Sequence, residues 1–468
     1  MAYTAFITRI KNLRQHPNAD RLQIGECFGN TVIVSMEYED NQLGIYFPSD
    51  GQVSVAFADA NNLLRKKDEN GNNVGGYMDP DKRNVTAIKL RGEKSDGLFL
   101  PLKSLETFGD ISTLHEGDRI DNFNGHEICC KYIPRRNHRH GGVSSGNKTR
   151  KKKVNIAPLF VEHADTEQLA YNLGAFKSGD EIEITLKMHG TSQRTAYLPV
   201  HSGDIVPPLA RWINNRTGIF KIFKPTDKMI AWAEKNTTPI YDWGYVSGTR
   251  RTVLENYEGG YYGSNEFREQ HSKFFEGKLW KGEEVYYEVV GFTHTGAPIM
   301  ATADNKKLND KEFVKQYGKE TVFSYGCDPI GWNGIGITAD KVPISEIYVY
   351  RMTMTNEDGD MVEYTPDFMR YRCEQMGVKT VPVMTKFILH DYDLEMDTST
   401  AGDIVKDVAE KYYDGPDPIG KTHVREGVVV RILNRPKFCA YKHKNWSFKA
   451  LEGIVKVEAE APDIEEAE

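Results

Sequence analysis

The stretch EIEITLKMHGTSQRTAYL, residues 181–198, decides the fold of the larger part of this chain. Ile182, Ile184 and Leu186 alternate with polar residues, which is the two-residue period of a strand with one buried face. The strand then delivers Lys187 into a turn that contains Gly190. A charged side chain at the inner end of a strand needs partners, which other parts of the chain must supply.

Composition restricts the class of protein. The chain has 468 residues, of which 27% are charged and 39% hydrophobic, and its formal net charge is −7. It is long enough for two or three domains and too rich in apolar residues to be disordered. The six cysteines form no C-x-x-C pair, which argues against a disulfide framework or a zinc site and fits a reducing compartment. With no signal core and no apolar run of membrane-spanning length, we predict a cytoplasmic protein, in the host cytoplasm if the source is viral.

Short strands separated by turn residues fill the first part of the chain and predict a small β-barrel. The stretches HPNADRLQIGEC (16–27) and IKLRGEKSDGLFL (88–100) resemble the OB-type tRNA-binding modules of some synthetases and their accessory proteins. This resemblance implies an OB-fold nucleic-acid-binding domain over residues 1–133. The alternative is that it reflects only the turn geometry of a barrel.

A basic segment follows at residues 134–153. It combines Pro, Gly and Ser with dense Lys and Arg and has no apolar periodicity, which is typical of a linker or exposed loop. Its lysines, Lys151 and Lys152 among them, are predicted to contact RNA phosphates. The alternative is a solvated segment without a ligand.

Four lysines begin a K-x-x-G pattern, so the pattern alone is weak. They are Lys89, Lys94, Lys187 and Lys315. Lys94 spells the K-x-D-G of DNA ligases, yet it follows a polar turn, whereas Lys187 ends an alternating strand.

Partners for Lys187 follow in order along the chain. Each lies on a predicted strand or in a turn beside one: Arg250 and Arg251 in VSGTRRTVL, Glu288 in EEVYYEVVGF, Tyr350 in EIYVYRMTMT, Glu426 in REGVVVRIL, and Lys442, Lys444 and Lys449 in AYKHKNWSFKAL. This series resembles the motifs of the covalent nucleotidyltransferases, and His189 gives the lysine motif the form typical of RNA ligases. The resemblance implies an α+β adenylyltransferase domain with mostly antiparallel sheets over residues 154–456, followed by an acidic tail at 457–468.

The same resemblance implies a role for each residue, with ATP and Mg²⁺ (or Mn²⁺) as cofactors. Lys187 becomes the lysyl-AMP after attack on the α-phosphate, for which the amine must be neutral. Glu288 and Glu426 hold the ribose hydroxyls and a hydrated metal ion, and Tyr350 stacks on adenine. The remaining roles are phosphate neutralisation by Lys449 with Lys442 or Lys444, nucleotide contacts by His189, Gly190 and Arg194, and RNA contacts by Arg250 and Arg251. Which of the three lysines fills the last motif stays open.

Architecture narrows the enzyme class. DNA ligases and capping guanylyltransferases carry an OB domain after the lysine strand, whereas here the barrel-like region precedes the catalytic one. This order resembles RNA ligases with an N-terminal OB module, which seal 3′-OH and 5′-phosphate ends through lysyl-AMP and RNA-adenylate and serve in RNA repair. The substrate would be a nicked duplex or a tRNA-like break, the protein is not expected to bind membranes, and a monomer is favoured. The alternatives are an RNA-adenylating or capping-like transferase and a non-catalytic RNA-binding protein.

The inserts 201–240 and 295–335 depart from the family pattern and leave the substrate preference in doubt.

Overall fold

In a computed structural model of the protein, the structure describes residues 3–49, 51–67, 73–132, 155–163, 166–214, 226–250, 252–255, 257, 265–329, 342–390, 400–451 and 455–457. Helices and mostly antiparallel sheets are mixed along the chain, so the predicted α+β class is confirmed. Within these residues, no helix is both long enough and apolar enough to cross a membrane.

The N-terminal region consists of short strands, as its frequent turn residues predict. They are β1 (Ala5–Arg9), β2 (Lys11–Gln15), β3 (Leu22–Cys27), β4 (Asn30–Ser35), β5 (Leu43–Phe47), β6 (Gly51–Val53), β7 (Lys66–Lys67), β8 (Asn73–Gly75), β9 (Asn84–Val85), β10 (Ala87–Leu90), β11 (Glu93–Ser95), β12 (Leu98–Pro101), β13 (Arg119–Ile120), β14 (Asn122–Phe123), β15 (His126–Glu127) and β16 (Cys129–Lys131). The largest sheet has the order β12-β5-β1-β13, and other sheets run β2-β3-β4 and β16-β6-β9. Since the described strands form several small sheets rather than one closed barrel, the OB-type assignment stays a prediction.

The second region contains two larger sheets. Its strands are β17 (Glu167–Gln168), β18 (Glu181–Leu186), β19 (Thr191–Ile205), β20 (Thr238–Gly248), β21 (Glu283–Gly291), β22 (Ala303–Asp304), β23 (Glu320–Thr321), β24 (Ser345–Thr355), β25 (Met361–Glu363), β26 (Lys379–Thr380), β27 (Val383–Ile388), β28 (Gly427–Ile432), β29 (Ala440–Lys444) and β30 (Val455–Val457). The five-stranded sheet runs β17-β29-β28-β18-β27, and the six-stranded sheet contains β20-β19-β21-β24-β25 with β26 beside β24. The predicted strands around residues 286, 350 and 428 are therefore present.

Helices cover and connect these sheets. They are α1 (Val55–Ala60), α2 (Pro208–Asn214), α3 (Asp227–Lys235), α4 (Glu266–Phe274), α5 (Lys311–Tyr317), α6 (Pro366–Met376), α7 (Ala401–Glu410) and α8 (Trp446–Leu451). Helix α6 is capped at both ends, because the Thr365 hydroxyl accepts the Phe368 N–H and Gly377 ends the helix at φ 71°. The sequence TEQLAYNLGAF (166–176) predicts a helix, but the structure has β17 there and two short 3₁₀ helices, Leu169–Tyr171 and Leu173–Ala175.

Strand β18 has the expected buried apolar face, but its polar face is covered at Glu183, while Glu181 is exposed and Thr185 half-buried. Ile182 and Ile184 pack in the core, and the side chain of Glu183 on the opposite face is also buried. Its carboxylate lies 2.9 Å from Arg370 and 3.0 Å from Lys386. At Glu183 the polar face of β18 is therefore covered by other charged elements and is not in contact with solvent.

The N-terminal region and the second region meet along several contacts. The Tyr171 ring stacks on Phe6 at 5.0 Å between centroids. Strand β30 pairs in parallel with β10, with Ala87 opposite Val455. The Lys449 ammonium on α8 bonds the Asp96 carboxylate at 2.6 Å. These contacts hold the N-terminal strands beside the helix that follows β29.

Candidate active site

Strand topology brings the lysine turn and the second predicted glutamate together. Strand β28 is antiparallel to β18, so the start of β28 lies beside the end of β18, and Leu186 is opposite Val428. The Lys187 N–H then donates to the Gly427 carbonyl at 3.0 Å. Because β29 is antiparallel to β28, its last residue, Lys444, lies opposite Gly427. Residues that are more than two hundred positions apart in sequence thus share one end of the sheet.

Glu426 is the centre of this charged group. Lys187 Nζ donates to its Oε1 at 2.5 Å, and Lys444 Nζ lies 3.1 Å from the same oxygen. His189 Nδ1 lies 3.5 Å from Oε2. Burial opposes ionisation of Glu426, but the two lysines and the hydrogen bond from His189 hold its pKa well below the ordinary value. The carboxylate is therefore ionised at neutral pH and fixes the Lys187 amine.

The turn after Lys187 presses against the six-stranded sheet at Gly190. A Cβ at this position would lie 2.5 Å from the Val289 carbonyl oxygen and 2.8 Å from Glu288 Cγ, so only glycine fits. The chain then enters β19, where Ser192 is opposite Glu288. The Ser192 hydroxyl shares a hydrogen bond of 3.1 Å with the Tyr350 hydroxyl on β24. Glu288 and Tyr350 therefore face the lysine from the second sheet.

Glu288 differs from Glu426 in its environment. Burial and the charge of the Glu426 carboxylate raise its pKa to about 7, although Lys187 and Arg250 act in the opposite direction. Within the described part of the chain its carboxylate has no hydrogen-bond or ion-pair partner. A partly buried carboxylate without a partner is suited to receive a ligand.

A cavity of about 280 Å³ opens between the two sheets. Six of the predicted residues line it: Lys187, Arg250, Glu288, Tyr350, Lys442 and Lys444. Glu183, Met188, Arg370, Arg431 and Phe438 also line it and were not predicted. Six cations and two carboxylates around a cavity of this size can bind an anionic ligand that carries an aromatic or apolar part.

No protein-family model matches this chain, and no curated protein matches it. Solved structures do match it. Naegleria gruberi RNA ligase, as a lysine-to-alanine mutant with ATP and Mn, is 15% identical with a TM-score of 0.54, over 97% of this chain and 99% of that one. The same enzyme with PPi gives 16% identity and a TM-score of 0.52 over 95% and 97%. A lysine-to-methionine mutant with AMP and Mn gives 15% and 0.53 over 96% and 98%.

The chain has the RNA ligase fold. The likeness extends over nearly the whole of both chains, so the N-terminal strands of this protein are part of the RNA ligase fold together with the two sheets around the cavity.

Two of the site residues predicted from the sequence, Lys449 and Arg194, do not line the cavity of this RNA ligase fold. Lys449 bonds Asp96 at the contact with the N-terminal region, which favours Lys442 and Lys444 as the lysines of the last motif. Arg194 is buried, bonds Glu284 at 2.8 Å and donates to the Thr249 carbonyl at 3.0 Å. The geometry therefore favours a positioning role for Arg194, since Thr249 precedes Arg250. Arg251, Lys151 and Lys152 lie outside the described residues.

Two aromatic residues of the 295–335 insert reach the lysine turn of the RNA ligase fold. The Tyr325 hydroxyl accepts the His189 N–H at 2.7 Å, and the Phe323 ring lies 4.6 Å from the His189 ring. Tyr325 holds this position at φ 50°, a conformation that non-glycine residues rarely adopt. The sequence carries no local signal for this contact, because the insert and the turn are more than a hundred residues apart.

Proposed function

We propose that the protein is an ATP-dependent RNA ligase that joins 3′-OH and 5′-phosphate RNA ends. The observation that carries this proposal is the position of Lys187, whose amine lies in a cavity lined by Lys442, Lys444, Glu288 and Tyr350 and bonds Glu426. The RNA ligase fold supports it. A group of three lysines around a cavity, with one carboxylate that holds the Lys187 amine in place, fits a polyphosphate ligand and a nucleophile in line with it.

The first step would be adenylation of Lys187. The neutral amine attacks the α-phosphorus of ATP, an N–P bond forms, the bond from that phosphorus to the bridging oxygen breaks, and pyrophosphate leaves. Lys444 and Lys442 stabilise the negative charge on the phosphates. Tyr350 and Phe438 line the wall against which the base would stack.

Glu288 and Glu426 are the residues that would hold a divalent metal ion, Mg²⁺ or Mn²⁺. No group of three or more His, Cys, Asp or Glu side chains suited to a metal is found in the described ranges. This fits Mg²⁺, which keeps several waters and uses one or two carboxylates together with substrate phosphates. When bound, the ion would neutralise developing charge on the phosphates. The unpartnered carboxylate of Glu288 supports this assignment.

Sealing would follow in two further transfers. AMP passes from Lys187 to the 5′-phosphate of the RNA, and the 3′-OH then attacks that phosphate and expels AMP. RNA contacts are proposed for Arg250, which lines the cavity, and for Arg251, Lys151 and Lys152. We also propose that residues 1–133 form an OB-type RNA-binding module, 134–153 a basic linker, 154–456 the adenylyltransferase domain and 457–468 an acidic tail. An RNA repair role follows from the reaction.

The test is covalent labelling with α-labelled ATP and Mg²⁺, followed by a denaturing gel. The unaltered protein should retain label and Lys187→Ala should not. Lys315→Ala is the matched control, since Lys315 also begins a K-x-x-G pattern but is 80% exposed, and it should label normally. Label from GTP instead would indicate a capping-like enzyme, and RNA that is adenylated but never joined would indicate another transferase. Absence of label from either nucleotide would contradict catalysis by this cavity.

A further inference from the structure

Two of the four K-x-x-G lysines have no place in the cavity yet lie together. Lys89 on β10 and Lys94 on β11 are directly opposite each other in an antiparallel hairpin. Side chains that are directly opposite in such a pair project from the same face of the sheet, and like charges there repel. An anion between the two ammonium groups, or above them, would relieve this repulsion.

The charges of this pair are not neutralised within the described residues. Neither lysine has a carboxylate within ion-pair distance there, and Lys94 is exposed. Asp414 and Asp310 act on Lys94 from longer range. Asp414 accepts a hydrogen bond from the Asn445 side chain, and Asp310 caps helix α5. Both carboxylates accept from neutral donors and keep their charge, but neither lies within ion-pair distance of the hairpin lysines, so the two ammonium groups stay accessible to a ligand.

Lys94 also connects the hairpin to the cavity. Its ammonium lies over the Trp446 ring, 4.3 Å from the centroid. Trp446 begins α8 two residues after Lys444, which bonds Glu426, and the Asn445 N–H donates to the Glu426 carbonyl at 2.9 Å. Two residues span at most about 7 Å. The lysine pair therefore lies along the surface that leads to the cavity.

We propose that Lys89 and Lys94, with the Trp446 ring beside them, bind the phosphodiester backbone of a single RNA strand next to the nucleotide cavity. This inference rests on the proposed function and adds a substrate-binding site to it. A lysine ammonium is a compact charge suited to phosphate oxygens, and an aromatic ring next to cations is the usual surface for single-stranded nucleic acid. A phosphate between the two ammonium groups would also relieve their repulsion.

The experiment measures RNA affinity against salt concentration, using a short 5′-phosphorylated single-stranded RNA of mixed sequence. Lys89→Met and Lys94→Met keep the length of the side chain and remove the charge. The slope of log K against log salt should decrease by about 0.7 for each lysine, and the double variant should bind roughly 25-fold more weakly near 0.1 M salt. Lys94→Arg should restore most of the affinity. Lys103→Met, an exposed lysine of the same region, should bind like the unaltered protein.

Thermal unfolding of the same variants separates binding from packing. The Lys89→Met, Lys94→Met double variant should unfold at the same or a higher temperature, because the repulsion between the two lysines is removed. A loss of RNA affinity in this variant is then a loss of binding and not of folding. An unchanged salt slope overturns the inference, whether or not the melting temperature falls. This result is distinct from failure of the proposed function, which is judged by ATP labelling of the unaltered protein alone.

Discussion

The Lys449 ammonium lies 2.6 Å from the Asp96 carboxylate, and this pair joins helix α8 to the N-terminal region. Both side chains are largely buried, at 17% and 10% exposure. Burial opposes ionisation of Asp96, but Lys449 and the Ser49 hydroxyl hold its pKa below the ordinary value. The pair therefore stabilises the contact between the two regions, whereas Lys444, five residues earlier, faces the cavity.

This division of roles predicts different outcomes for two alanine variants. Lys444→Ala should reduce the rate of ATP labelling by roughly 100-fold or more, because a cation is lost from the phosphate site. Lys449→Ala should label at a temperature where it is folded, but its free energy of unfolding should fall by about 2–4 kcal/mol, since the buried Asp96 carboxylate loses its cation and keeps only the Ser49 hydroxyl as a partner within the described residues. Labelling gels and urea unfolding measure the two effects. A folded Lys449→Ala protein that does not label would identify Lys449 as the lysine of the last motif.

Glu288 should make stability depend on pH. Its pKa rises from 4.5 to about 7 in the folded protein, so the folded state binds a proton that the unfolded state has lost between these values. Stability from this group is thus complete below about pH 4.5 and is lost as the pH rises to about 7. Glu288→Gln, which cannot ionise, should raise the free energy of unfolding at pH 8 by up to about 3 kcal/mol and change it little near pH 4.5.

Urea unfolding of Glu288→Gln at both pH values checks this expectation, with Glu320→Gln, an exposed glutamate, as the control. The same variant should fail to label with ATP, because the proposed metal and ribose ligand is lost. A variant that is less stable than the unaltered protein at pH 8 would show that the Glu288 carboxylate has a stabilising partner.

Tyr325→Phe should slow adenylation without removing the fold. The change leaves the buried His189 N–H without its acceptor, which should lower the free energy of unfolding by about 1–3 kcal/mol. Since the turn after Lys187 is then less well fixed, the maximal rate of labelling should fall roughly tenfold while the KM for ATP changes little. Tyr317→Phe, in the same insert, is the control. Equal losses in the maximal rate and in ATP affinity would indicate general disorder of the cavity instead.

Gly190→Ala should be poorly tolerated. The added methyl group would meet the Val289 carbonyl oxygen at 2.5 Å, and this oxygen cannot move without breaking β21. We expect a loss of about 2–4 kcal/mol in the free energy of unfolding and weak or absent labelling. Gly174→Ala is the matched control, because no atom lies within 4 Å of the Cβ it would add. A Gly190→Ala protein as stable as the unaltered one would mean that the turn has room to shift.

The positions of site residues at strand ends were predictable where the strand has a clear pattern of apolar residues. The period of 181–186 locates Lys187 at a strand end, and the apolar run after Glu426 places that carboxylate at a strand start. The grouping of Lys187 with Glu426 and with Lys442, Lys444 or Lys449 came from the resemblance to nucleotidyltransferase motifs. The antiparallel order of β18, β28 and β29 supplies the physical reason why Lys187, Glu426 and Lys444 meet.

Contacts that depend on tertiary packing were not predictable. Glu183 reads as a solvated residue because its partners, Arg370 and Lys386, come from distant elements. Lys449 matches a motif in sequence, and only the position of Asp96 shows that it bonds elsewhere. Tyr325 lies in an insert with no period or motif, so its bond to His189 depends on where the whole insert folds.

The parallel pairing of β10 with β30 has a consequence for synthesis of the chain. The ribosome synthesises β10 several hundred residues before β30. One edge of β10 therefore has no β30 partner until residues 455–457 have been synthesised. An unpaired strand edge can pair with another chain and cause aggregation. Lys89 and Lys94 on this hairpin carry the same charge in every nascent chain, and their repulsion would keep two such edges apart during that interval.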